Sequence, residues 1–166
     1  MRDFILQSSY FSDGGEIPRE CGYKNENTHP PLQIRGIPDE AVELALIMDD
    51  PDAMGAVGKV WVHWVVWNIQ PHKNDYATGF THDEIESLSD HTNDDMTYVK
   101  TGMTDFGETD YGGPAPPDKR HTYVFKLYAL DTKLDLPDKS TKADVEKAME
   151  GHILEQATLT GTYAPD

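Results

Sequence analysis

A mainly β fold, an antiparallel β-sandwich with a few peripheral helices, is predicted for this chain by three observations. Two runs rich in β-branched and aromatic residues, Val60 to Ile69 and Thr122 to Leu130, alternate as strands do. Stretches rich in glycine and proline separate the runs, and helical spacing is confined to two places. Many strands beside one good late helix fit packed sheets rather than a helical bundle. No repeat or linker divides the 166 residues, so residues 1–166 are read as one domain.

Phe4 to Ser9 reads as the first strand, with Asp13-Gly14-Gly15 and Gly22 to Pro31 as turns and loop. Glu43 to Met48 is a strand running into Asp49-Asp50-Pro51-Asp52, where proline stops it. Strict alternation along Val60 to Ile69 puts Trp61, His63, Val65 and Trp67 on one face and Val60, Val62, Trp64 and Val66 on the other. Both faces are apolar, so this strand is expected to be central and covered on both sides. A short helix is predicted over Thr81 to Leu88 and a short strand at Tyr98-Val99, followed by a turn region from Thr101 to Pro117. Thr122 to Leu130 places His121, Tyr123, Phe125, Leu127 and Ala129 on one face. In Lys142 to Gln156, Val145, Ala148, Met149, His152 and Ile153 recur at helical spacing behind Thr141 and Asp144, a capping pair, which sets His152 on an apolar helix face. Ala157 to Tyr163 is a closing strand.

Thirty acidic against fourteen basic residues give a formal charge of −16. Such a surface repels phosphate backbones, which excludes nucleic acid and docking on anionic lipid. The excess, clustered at Asp83, Glu84, Glu86, Asp90, Asp94 and Asp95, serves either as a solvating face or as adaptation to a high-salt cytoplasm. No apolar run approaches the roughly 20 residues that span a bilayer, so membrane insertion is not expected. Met1-Arg2-Asp3-Phe4-Ile5 lacks the plan of a secretory signal, and the chain is read as soluble and cytoplasmic. Cys21 stands alone, so no disulfide forms within the chain; only Arg19 lies near as a basic activator, and a plain cysteine is the better reading.

The residues able to do chemistry sit at strand ends. Asp50 and Asp52 flank Pro51, which fixes the backbone and presents both carboxylates at little entropic cost. Two such acids can form an acid/base pair, hold a hard cation, or brace a loop. His63 interrupts an apolar strand, where an imidazole needs a partner. His121 and Tyr123 share a face just after Pro116-Pro117, a rigid segment suited to a pocket wall. Taken alone, each residue is equally at home in a core.

The motifs then become familiar in combination. Asp-Pro-Asp-Ala at 50–53, Val62-His63-Trp64-Val65-Val66-x-Asn68, and Tyr111-Gly112-Gly113-Pro114-Ala115-Pro116-Pro117 leading to His121-x-Tyr123-x-Phe125 resemble the phosphatidylethanolamine-binding protein family, in its bacterial and archaeal Raf-kinase-inhibitor-like branch. Asn27-Thr28-His29-Pro30-Pro31, Thr104-Asp105-Phe106-Gly107, Gly151-His152-Ile153-Leu154 and Gly161-Thr162-Tyr163 extend the likeness over essentially the whole chain. Met54 departs from the proline usual after Asp-Pro-Asp-Ala. The resemblance implies a β-sandwich with a small anion pocket lined by Asp50, Asp52, His63, Pro116, Pro117, His121 and Tyr123, with Trp61 near its mouth. It also implies protonated imidazoles, a phenol and backbone amides as donors to the anion, with the aspartates orienting the histidines or receiving an ammonium group.

Function follows as an expectation: a non-catalytic binding protein for a small anion or phosphorylated head group that modulates or inhibits a partner, a kinase or a serine protease. A homodimer is suggested by prokaryotic relatives. The alternative is an acid/base hydrolase using the Asp/His/Tyr pocket. Against it stand the lack of a Gly-x-Ser-x-Gly elbow, of a phosphate-cradling glycine loop, and of paired histidines at metal-binding spacing. No cofactor, catalytic residue or metal is expected.

Overall fold

The computed structural model describes residues 3–71 and 100–166. The helix predicted over Thr81 to Leu88, the strand at Tyr98-Val99, and His72, His82 and His91 lie outside the described residues. Among the described residues there are eight strands, β1 (Ile5–Gln7), β2 (Gly15–Glu16), β3 (Gln33–Arg35), β4 (Glu43–Asp50), β5 (Trp61–Ile69), β6 (Lys100–Thr101), β7 (His121–Leu130) and β8 (Ile153–Tyr163), with helices α1 (Ala53–Val57) and α2 (Lys142–Met149). One six-stranded sheet has the order β2-β8-β7-β4-β5-β6, and β1 pairs with β3 in a separate ladder. Among the described residues, no helix is long and apolar enough to cross a membrane.

The large sheet is mixed, where a purely antiparallel one was expected: β2 runs parallel to β8, pairing Gly15 with Gly161 and Glu16 with Thr162. Gly14, at φ +83°, turns the chain so that its N–H reaches Thr160 O and the Ile17 N–H reaches Thr162 O, which lays the segment along the β8 edge in the same direction.

Each face of the sheet carries a core. The larger one gathers Leu44, Leu46, Met48, Tyr123, Phe125 and Leu127 with Leu6 and Ile34 of the β1–β3 ladder. The smaller one sets Ala45, Ile47, Val65, Trp67 and Tyr128 against Val145 and Met149 of α2. Burial at this scale, about 25 cal/mol for each square ångström of apolar surface removed from water, is the main stabilising term.

β5 departs from strict alternation, with consequences for the site. Met48 pairs with Trp64 but Asp49 pairs with Val62, so His63 is the extra residue of a β-bulge. A bulge inverts the phase of the side chains beyond it. Val65 and Trp67 therefore join the smaller core with Val62, while Trp64 and Val66 join the larger, which corrects the expected face of all four: Val65 and Trp67 part from His63, and Trp64 and Val66 from Val62. A second extra residue lies between Val66 and Ile69, where Leu46 pairs with Val66 but Leu44 with Ile69. Asn68 takes the left-handed conformation there, φ 60°, and is braced by Glu43, whose carboxylate accepts from the Asn68 N–H and Nδ2.

α2 is capped as expected, with Thr141 and Asp144 bonding reciprocally. It ends at Met149, short of the Gln156 expected, because Gly151 at φ +81° turns the chain out and Ile153 opens β8. His152 is thus an exposed turn residue bonded through Nδ1 to Asp131 Oδ1 at 2.8 Å, and not part of an apolar helix face.

Candidate functional site

The three aspartates at the end of β4 point three ways. Asp49 is buried on the smaller-core side and receives Lys142 Nζ at 2.7 Å and Lys126 Nζ at 3.3 Å. Asp50, one residue on, turns to the opposite face and receives His121 Nδ1 at 2.6 Å on Oδ2. Asp52 is exposed at the start of α1, and its Oδ2 accepts the Thr122 N–H at 2.8 Å, tying the helix to β7. The strand-end proline does not leave Asp50 and Asp52 side by side: only Asp50 enters the cavity.

That cavity, of about 140 Å³, is lined by Asp50, Ala53, Ala56, Val57, Trp61, His63, Phe106, Ala115, Pro117, His121 and Tyr123. Of the eight residues expected to form the site, the structure brings Asp50, Trp61, His63, Pro117, His121 and Tyr123 together; Asp52 and Pro116 do not line it.

The bulge in β5 builds one wall. Its displaced backbone groups need partners, and two loops supply them. Asp105 accepts the Val62 N–H on Oδ2 at 2.7 Å and donates its own N–H to Val62 O, which carries Phe106 over the pocket. Gly112 donates to His63 O at 2.9 Å, and its carbonyl accepts from His63 Nδ1 at 2.7 Å. Phe106 meets the rings of Trp61 and His63 edge-on at 5.7 and 5.3 Å and stacks on Tyr23 at 4.0 Å.

Behind this wall, the loop from Cys21 to Asn27 pins the glycine-rich segment. Gly113 N–H reaches Asn27 Oδ1, Tyr111 OH reaches Cys21 O, and Tyr23 N–H reaches Pro114 O. The Cys21 thiol is buried and pushed up to about 12 by that burial, so it stays protonated. A Cβ on Gly113 would lie 1.9 Å from Cys21 O. Gly113→Ala is expected to cost roughly 1–3 kcal/mol in urea denaturation, because backbone must move on both sides.

The two histidines differ in charge. His63 is buried, and desolvation lowers it to about 4 despite the carbonyl it donates to, so the ring is neutral, with its proton on Nδ1. The expectation of two protonated imidazoles therefore holds for one ring alone. His121 faces carboxylates at both nitrogens, Asp50 Oδ2 at 2.6 Å and Asp118 Oδ1 at 2.7 Å. Carboxylates only accept, so both ring N–H groups are present and the ring is an imidazolium. Burial opposes that charge, but the two aspartates overcome it and raise the His121 pKa. Asp50 Oδ1 and the Tyr123 hydroxyl are buried without a hydrogen-bond partner among the described residues. Burial and the Asp50 charge push the Tyr123 phenol up, so it keeps its proton.

Sequence reasoning missed Phe106, Ala115 and Asp118 as site residues. Asp118 had a legible signal, since it directly follows Pro117 and stands three residues before His121. Among the described residues, no group of three or more metal-ligating side chains is assembled.

The family described as phosphatidylethanolamine-binding protein matches residues 7–164. A UPF0098 protein of Methanothermobacter thermautotrophicus is 45% identical over 158 residues, covering 95% of this chain and 97% of the relative. Another, from Chlamydia muridarum, is 37% identical over 163 residues, covering 97% and 99%. Among solved structures, a putative phosphatidylethanolamine-binding protein homologue from Chlamydia trachomatis superposes with a TM-score of 0.80 at 33% identity, covering all of both chains. Escherichia coli YbcL, described as a member of the mammalian family, gives 0.79 at 28% identity, covering 99% of this chain and 100% of its own.

Proposed function

This chain belongs to the phosphatidylethanolamine-binding protein family, and on that premise we propose that it is a non-catalytic binding protein whose cavity takes the phosphorylated head group of a small ligand. What supports the reading is the pair of buried polar atoms at the cavity, Asp50 Oδ1 and the Tyr123 hydroxyl, which have no hydrogen-bond partner within normal geometry among the described residues and sit beside the His121 imidazolium. Buried polar groups are nearly always satisfied, so these two want a ligand. The volume, about 140 Å³, suits a head group of a few heavy atoms rather than a whole lipid. Ala53, Ala56, Val57, Trp61 and Phe106 give the rest of the cavity apolar walls.

Catalysis is the poorer reading. Among the described residues no serine, threonine, cysteine or lysine lines the cavity, the phenol is held protonated, and His121 has no lone pair left to act as a base. The consequence we assign to occupancy is inhibition of a partner kinase or serine protease, a role supported by family resemblance.

Titration with phosphoethanolamine, followed by NMR on the imidazole rings, checks the binding. Shifts at both His63 and His121 that saturate are expected, with no release of phosphate. Rings that stay unmoved would remove the pocket from the function, and turnover abolished by His63→Ala would replace binding with hydrolysis.

A further inference from the structure

The inference rests on the head-group reading and asks what an anion meets when it arrives. Besides the Trp61 indole, four polar side chains line the cavity: Asp50, His63, His121 and Tyr123. Asp50 is an acceptor, and His63 has already given its one N–H to Gly112 O. Both N–H groups of His121 are taken. The Tyr123 hydroxyl is the one uncommitted side-chain donor among them. Among the described residues, the one cation lining the pocket is shared between two carboxylates, and an anion can reach it only if one of them leaves.

The two are not equally able to go. The Asp50 side chain is 4% exposed at the end of β4, and moving it would strand a buried charge. The Asp118 side chain is 42% exposed, on the loop between Pro117 and β7, where a side-chain rotation delivers its carboxylate to water. With its carboxylate open to solvent, the Asp118 side of the pair is screened and gives way more readily than the Asp50 side.

We propose that Asp118 is a built-in competitor for the ligand: its carboxylate holds the position at His121 Nε2 that the ligand's anionic group takes, and binding consists of exchanging one for the other. This makes Asp118 a residue that sets specificity. A monocarboxylate replaces one carboxylate by another and gains nothing. A phosphomonoester brings up to two charges and three acceptor oxygens, enough to engage His121 and the Tyr123 hydroxyl together, their rings being 6.3 Å apart. The site therefore selects phosphate over carboxylate, at the expense of affinity for both.

The test compares inorganic phosphate and acetate binding by wild type, Asp118→Asn and Asp118→Ala at about pH 6, on the acid side of the ordinary histidine value of ~6.5, with the Asp50 carboxylate still facing His121 Nδ1 in both variants. The groups facing its ring are Asp50, Asp118 and Tyr123. Ring shifts of His121 give the isotherms, and thermal melts establish that the variants are folded. Both variants are expected to bind phosphate roughly fivefold or more tightly than wild type, the gain from removing an exposed competing charge, and to acquire measurable acetate binding. Equal phosphate affinity in all three, with His121 shifting, would overturn the competitor and leave the head-group pocket standing. Weaker binding in both variants would make Asp118 part of the ligand's own shell and overturn it as well. No shift in any of the three at about 50 mM phosphate would remove the pocket reading and the inference together.

Discussion

Alanine at His121 is expected to cost about 3–5 kcal/mol, enough to unfold a marginal domain. The ring is fully buried, and its imidazolium is the counter-charge that makes Asp50 tolerable at the end of β4. Truncation leaves a buried carboxylate with no compensating charge. Urea denaturation near neutral pH measures the loss. A second change, Asp50→Asn, should restore part of it, because the orphaned charge goes with it. A loss under about 1 kcal/mol would mean that the pair behaves as a surface contact, against its burial.

Acid should be the second strong perturbation, and His63 its main target. The folded ring sits at about 4 against an ordinary 6.5, so the unfolded chain binds the extra proton between those values. Stability is then full above pH ~6.5 and falls as pH drops towards 4, by about 3 kcal/mol from this residue. His121 has the opposite sign: its folded pKa is raised, so its contribution is complete below ~6.5 and fades as pH climbs through the folded value. Asp50 also opposes the acid limb, since burial raises its pKa and the folded state takes up the proton sooner. The comparison with His63→Asn is therefore the readout. Asparagine keeps an N–H for Gly112 O but does not titrate, and its denaturation midpoint should be flatter from pH 6.5 to 4. An acid limb identical in both proteins would sink the assignment.

Much of the fold was legible because β4, β5 and β7 are long, apolar and β-branched, signals that local sequence carries. What escaped depends on contacts between distant segments. The two-residue strand β2 exists because β8 offers an edge to it, and nothing in Gly15-Glu16 alone says so. Helix α1 is five residues long and was hidden behind Asp50-Pro51-Asp52, which reads as a stop. The site was legible as a set of residue types but not as a set of charges. That His63 is neutral and His121 charged follows from whether a ring faces a carbonyl or two carboxylates, and those partners lie between three and 71 residues away along the chain.

The two bulges of β5 act together like a pair of compensating frameshifts. The first, at His63, puts the strand out of step, and the second, beside Asn68, restores it, so that Trp61, His63 and Ile69 share a face while the residues between are read in the other frame. Deleting His63 alone should therefore do more than remove an imidazole. It would erase the first bulge: Val62 and Trp61 would still pair with Asp49 and Asp50, now in regular alternation with Trp64, and Gly112 would lose both of its partners on His63.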